Sequence, residues 1–192
     1  NGMALRLSHP EHKERIQQTI AKIVKAGQPH NMKFIDHWRF SPLTANGNGF
    51  RVMLERLDQL QRTVDCALPG RGLCPVNPKM RRDFINSVIE HIEVTGIDGL
   101  MIDEVEFHTA NLCGCANCRK KFTADTNWVM PISEVSKLLD PKSNSPMRQA
   151  WMDWQQKAIG DFWVELRNAV KNVKPDLVFF GYTSLSGLCH SE

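Results

Sequence analysis

The chain has 192 residues, 42% of them hydrophobic and 23% charged, enough for one sizeable core and too few for two large domains. Lys+Arg number 24 against 21 Asp+Glu, a net charge of +3 with no block of like charges, which is a weaker basic bias than nucleic-acid binders usually show. No stretch approaches the roughly 18 uninterrupted apolar residues of a membrane span, so a soluble globular protein without nucleic-acid or membrane partners is expected.

The first residues, Asn1-Gly2-Met3, carry no signal-peptide pattern, so any targeting segment is expected to have been removed or never to have existed. That leaves the compartment open between cytoplasmic and secreted. Glu11 to Ala26 places Ile16, Ile20, Ile23 and Val24 at helical spacing between His9-Pro10 and Gly27. Met32 to Trp38 reads as a strand, apolar first and polar at its carboxyl end. Ser41 to Gly49 is loop-like in composition, and a helix is expected over roughly Phe50 to Arg62. Asp65 to Pro78 is a long irregular loop holding Cys66 and Cys74. Pro78 then opens a helix, where its missing N–H costs nothing, and Gly96 ends it after Phe84, Ile85, Val88, Ile89 and Ile92.

Gly99-Leu100-Met101-Ile102 is a short buried strand that ends in Asp103-Glu104. A long excursion from Val105 to Pro146 contains a cysteine cluster and a short helix near Ser133 to Leu139. A further helix covers about Met147 to Lys174, with Trp151, Trp154 and Trp163 expected in its core face. Leu177 to Tyr182 is a third buried strand. The chain stops soon afterwards without a closing helix, and the expectation is a piece of a larger protein. Alternating helices and short apolar strands are the pattern of a parallel sheet.

Two features carry chemistry. Asp103-Glu104 places two carboxylates where a buried strand emerges, and adjacent strand residues point to opposite sides. A partly dehydrated carboxyl there can act as a general acid, whereas a helix cap or a solvated loop is the plainer reading. Cys113-Gly114-Cys115-Ala116-Asn117-Cys118 crowds three thiols together, and Zn²⁺ in structural sites takes four ligands at about 2.3 Å from each sulfur. Cys74 is the preferred fourth ligand, with Cys66 and His108 as rivals and disulfide pairing as the alternative. Four protein ligands would leave no position open for catalysis.

The carboxylate pair at a strand end followed by C-x-C-x-x-C resembles the family 42 glycoside hydrolases, and Cys74-Pro75-x-Asn77-Pro78 ahead of Gly-Ile-Asp-Gly is similar to uncharacterised bacterial glycosidase-like barrels. The resemblance covers about residues 70 to 125. It implies a (β/α)8 (TIM) barrel, only part of one in this chain, spanning residues 1–192 with a Cys-rich zinc-binding loop at about 105–125. It also implies a retaining glycoside hydrolase with a carbohydrate substrate, Glu104 as acid/base, and a structural Zn²⁺ on Cys74, Cys113, Cys115 and Cys118. Asp103 stands where the family has Asn, so galactosidase specificity does not carry over, and the family's nucleophile on strand seven has no counterpart here. Family 18 chitinases match Asp98-Gly99 and Asp103 in part, but their pattern fails at Met101 and Val105.

Asp36, His37, Trp38 and Tyr182 are the expected substrate-binding residues, with Trp38 stacking on a sugar or simply packing. Glu106 and His108 stand near enough in sequence to assist Glu104. Arg119-Lys120-Lys121 reads as a solvated helix face, and Cys189 as a thiol outside the cluster. The other function classes are a non-catalytic carbohydrate-binding or scaffold relative and a zinc-stabilised interaction module. The expected pairing of the last two strands is parallel.

Overall fold

The structure, a computed structural model, describes residues 10–39, 74–103, 105, 116–129 and 145–182. Helix α1 (Pro10–Gly27) runs through a 3₁₀ turn (Gln28–His30) into strand β1 (Ile35–Arg39). Helix α2 (Pro78–Thr95) leads to β2 (Gly99–Asp103), α3 (Ala116–Thr126) follows, and α4 (Pro146–Val173) leads to β3 (Val178–Tyr182). The strands form one parallel sheet in the order β1-β2-β3. This corrects the (β/α)8 expectation: the described residues hold three strands, and closing such a barrel takes eight strands with a matched tilt and stagger. The expected parallel pairing of β2 with β3 is present. The helix expected at 50–62 and the one near 133–139 lie outside the described residues.

Local chemistry sets the bounds of α2. The Asn77 side chain accepts from the N–H groups of Lys79 and Met80, Pro78 follows at the first turn, and Gly96 ends the helix at φ 69° with its N–H on Ile92 O. The left-handed conformation at Gly96 is one that side chains resist.

Parity within the strands divides the sheet into two faces. Asp36 and Trp38 on β1 and Leu100 and Ile102 on β2 point into the helix layer, where Trp38, Phe84, Val88, Phe162, Leu166 and Val170 form the core. A fully buried side chain of this size contributes about 1.5–3 kcal/mol. On β3 the same parity places Gly181 under α4. A Cβ there would stand 2.6 Å from Trp163 Cη2, so glycine lets the indole lie against the strand. The opposite face, with Ile35, His37, Val178 and Phe180, is exposed.

Sequence reading treated residues 105–125 as a loop apart from a basic helix face. The structure places α3 over Ala116–Thr126, so the last cysteine of the cluster lies on a helix. Phe122 anchors it, edge-on to Trp151 at 4.9 Å and Trp154 at 5.6 Å between ring centroids. Asp125 accepts from Lys121 on its own helix and from Trp154 Nε1 at 2.9 Å, and the Trp154 bond holds α3 against α4. Desolvation opposes ionisation of Asp125, but the hydrogen bonds from Lys121 and Trp154 hold its carboxyl below the usual carboxylate range. Arg119 and Lys121 are half-buried and Lys120 is exposed, so the basic face is only partly solvated.

Candidate functional site at the carboxyl end of the sheet

Open parallel sheets bind ligands outside the carboxyl ends of their strands. Here that end is a row in which Arg39, Asp103 and Tyr182 are backbone partners, above a row of His37, Met101 and Phe180. Asp103 closes the central strand, and its side chain is 18% exposed. His37 reaches it from β1, with Nε2 3.3 Å from Asp103 Oδ2. A carboxylate accepts only, so Nε2 carries the hydrogen of this contact, and in the neutral imidazole Nδ1 is then an acceptor. Among the described residues, neither Asp103 Oδ1 nor His37 Nδ1 has a partner.

The other two β1 residues expected at the site face the helices instead. Trp38 is 2% exposed and packs against Phe84 and His91, so neither face of its indole is open to a sugar. Asp36 is buried too: Oδ2 accepts from His91 Nε2 at 2.7 Å, and Oδ1 accepts from the His37 N–H at 2.8 Å. Strand parity therefore separates the expected group: His37 stays at the open face with Asp103, while Asp36 and Trp38 become structural. Tyr182 has its backbone opposite Asp103. Glu104, Glu106 and His108 lie outside the described residues.

Asp98, the other carboxylate of the chitinase comparison, sits at the opposite end of β2. It accepts from the Phe34 N–H and from Lys33 Nζ, both at 3.0 Å, and so ties the entry of β1 to the entry of β2. The Phe34 N–H chiefly, with Lys33, holds its carboxyl below the usual range against a partial desolvation. It serves the amino end of the sheet and is too far along the strand to join Asp103.

The cysteine expectation meets a specific geometry. Cys74 precedes the Asn77 cap of α2, Cys118 lies in the first turns of α3, and both are fully buried. Their sulfurs are 3.4 Å apart, beyond the S–S bond length of about 2.05 Å and near the roughly 3.7 Å that two thiolates take on one tetrahedral zinc. Residues far apart in sequence thus present two soft ligands to one point, as a structural zinc would require. Cys66, Cys113, Cys115 and Cys189 lie outside the described residues.

Sequence reading missed His91 and Phe180. His91 sits on the apolar face of α2 beside Val88 and Ile92, and a lone imidazole at that spacing was its signal. Phe180 is hidden in an unbroken apolar run, in which nothing marks the face that stays open. Among the described residues, no helix is long and apolar enough to cross a membrane. No family model, curated protein or solved structure matches the chain.

Proposed function

We propose that the chain belongs to a glycoside hydrolase that cleaves O-glycosidic bonds at the carboxyl end of this sheet, with Glu104 as general acid/base. The observation that carries the reading is Asp103, placed at the end of the central strand and engaged by His37 on the open face, with Glu104 the next residue in the chain. Glu104 protonates the leaving oxygen while a carboxylate from outside this sequence attacks the anomeric carbon. In a retaining reaction the two carboxyls stand about 5–5.5 Å apart. Asp103 binds a sugar hydroxyl.

Glu104→Gln is expected to lower turnover of alkyl glycosides at least 100-fold, with a smaller loss in the glycosylation step for nitrophenyl glycosides, whose leaving groups need little protonation. Full activity of that variant on an alkyl glycoside removes Glu104 from the mechanism.

The proposal includes one structural Zn²⁺ on Cys74, Cys113, Cys115 and Cys118, supported by the convergence of Cys74 and Cys118. The metal would join the start of α2 to α3, where Phe122, Trp151 and Trp154 supply the apolar contacts. Elemental analysis of protein purified without chelator is expected to return about one zinc per chain, and a chelator is expected to lower the melting temperature. A zinc content near zero refutes this part of the proposal. The runner-up, a zinc-stabilised interaction module without catalysis, shares the metal and predicts no hydrolysis of any glycoside.

A further inference from the structure

We propose that the open face of the sheet beneath Asp103 is a pyranose subsite, with Phe180 as the stacking platform and the His37–Asp103 pair reading two sugar hydroxyls. The proposal rests on the glycosidase reading and adds where the ring lies and what recognises it. Register brings His37, Met101 and Phe180 into one row across the three strands, with Asp103 one step toward the carboxyl end. Parity turns all four to the face away from the helices, where the His37 side chain is 51% exposed and Phe180 39%.

The surface has two chemistries side by side. Met101 and Phe180 form an apolar floor, and a carboxylate oxygen and an imidazole nitrogen without partners among the described residues stand at its edge. A pyranose has the matching division, with axial C–H groups on one face and hydroxyls around its rim. Two strand spacings, about 9.5 Å, separate β1 from β3, a width that such a ring with its hydroxyls spans. The ring lies on Phe180 with one hydroxyl donating to Asp103 Oδ1 and a neighbouring one to His37 Nδ1. Trp38, the aromatic that sequence reading favoured, is sealed in the core beneath this face.

The test titrates the full chain with methyl pyranosides of glucose, galactose, mannose and xylose, with glycerol as the acyclic control. Saturation-transfer NMR reads the contacts, and thermal melting reads the fold. Phe180→Ala is expected to weaken the best pyranoside at least tenfold with little change in melting temperature, and Phe180→Tyr to restore it. His37→Ala is expected to weaken it several-fold, and Val164→Ala, on an exposed part of α4, to leave it unchanged. In the bound sugar, C–H protons of one ring face should receive the strongest transfer. Pyranoside affinity that survives Phe180→Ala overturns the subsite and leaves the glycosidase reading standing. Absence of binding by every pyranoside also overturns it, and hydrolysis of nitrophenyl glycosides by the full-length protein then decides the wider reading separately. Loss of a dimer in Phe180→Ala with unchanged sugar affinity makes the face a self-association surface and overturns the proposal.

Discussion

Asp36 and His37 are neighbours on one strand, and each belongs to an Asp–His pair of opposite character. The Asp36–His91 pair lies between sheet and helices at 2.7 Å, with side chains 7% and 1% exposed. The His37–Asp103 pair lies on the other face at 3.3 Å, with side chains 51% and 18% exposed. The chemical groups are the same, and strand parity alone assigns them to different solvents. In the dry pair, water cannot replace a lost partner, so the interaction is structural. In the wet pair, water or a ligand hydroxyl can, so the same groups are available for recognition.

The largest expected effect tests the buried member. His91→Ala leaves the Asp36 carboxylate in the core with the His37 N–H as its one partner among the described residues, and opens space beside Trp38. Breaking a buried pair from one side typically costs about 3–5 kcal/mol. Urea denaturation should show that loss, and adding Asp36→Asn should recover part of it, because a neutral amide replaces an unpaired charge. A single variant within about 1 kcal/mol of the parent would mean that water reaches Asp36, and the distinction between the pairs would fail.

The contrast also explains what could be read in advance. The bounds of α2 were legible because Pro78 and Gly96 act through local backbone rules that need no tertiary partner. The strands were legible as apolar runs, but β3 reads Val-Phe-Phe-Gly-Tyr without alternation, so nothing marked Phe180 as open and Phe179 as packed. For β1 the alternation ran against ordinary hydropathy, since charged Asp36 shares the buried face with Trp38. That inversion became visible only with His91, which comes from a helix 55 positions later in the chain. The barrel was an extrapolation from a motif of about 55 residues, and a motif of that length does not determine strand number. Of helix α3 only the basic face of Arg119, Lys120 and Lys121 was legible, because those residues dominate its surface. Cys118 and Phe122, four apart on its inner face, were the signal for it.

A smaller effect is expected at the amino end of the sheet, where Asp98 is a third carboxylate with a different duty. Its folded pKa is depressed, chiefly by the Phe34 N–H. A depressed carboxylate stabilises the fold above its unfolded pKa, and that contribution fades as pH falls through the folded value. Asp98→Asn should therefore cost on the order of 1 kcal/mol at pH 7, the scale of one hydrogen bond to an ionised acceptor. The gap between parent and variant in urea melts should close below about pH 4. A gap that persists unchanged at pH 3 would show that Asp98 acts through shape, not charge.

The smallest expected effect on stability belongs to the exposed pair, and it sharpens the comparison most. His37→Ala removes a half-exposed imidazole whose one described partner, Asp103, can be rehydrated at the rim of the sheet. Exposed ion pairs contribute between zero and about 1 kcal/mol, so the melting midpoint should move little, by about 0.5 kcal/mol or less. The change His91→Ala, on the other face of the same sheet, is expected to cost several times more. If His37→Ala destabilised the chain as much as His91→Ala, the wet pair would be a structural clamp and its unpartnered atoms no basis for recognition. If it leaves stability intact, the His37–Asp103 contact does not hold the fold together, and the groups that face solvent there are free to engage a hydroxylated ligand.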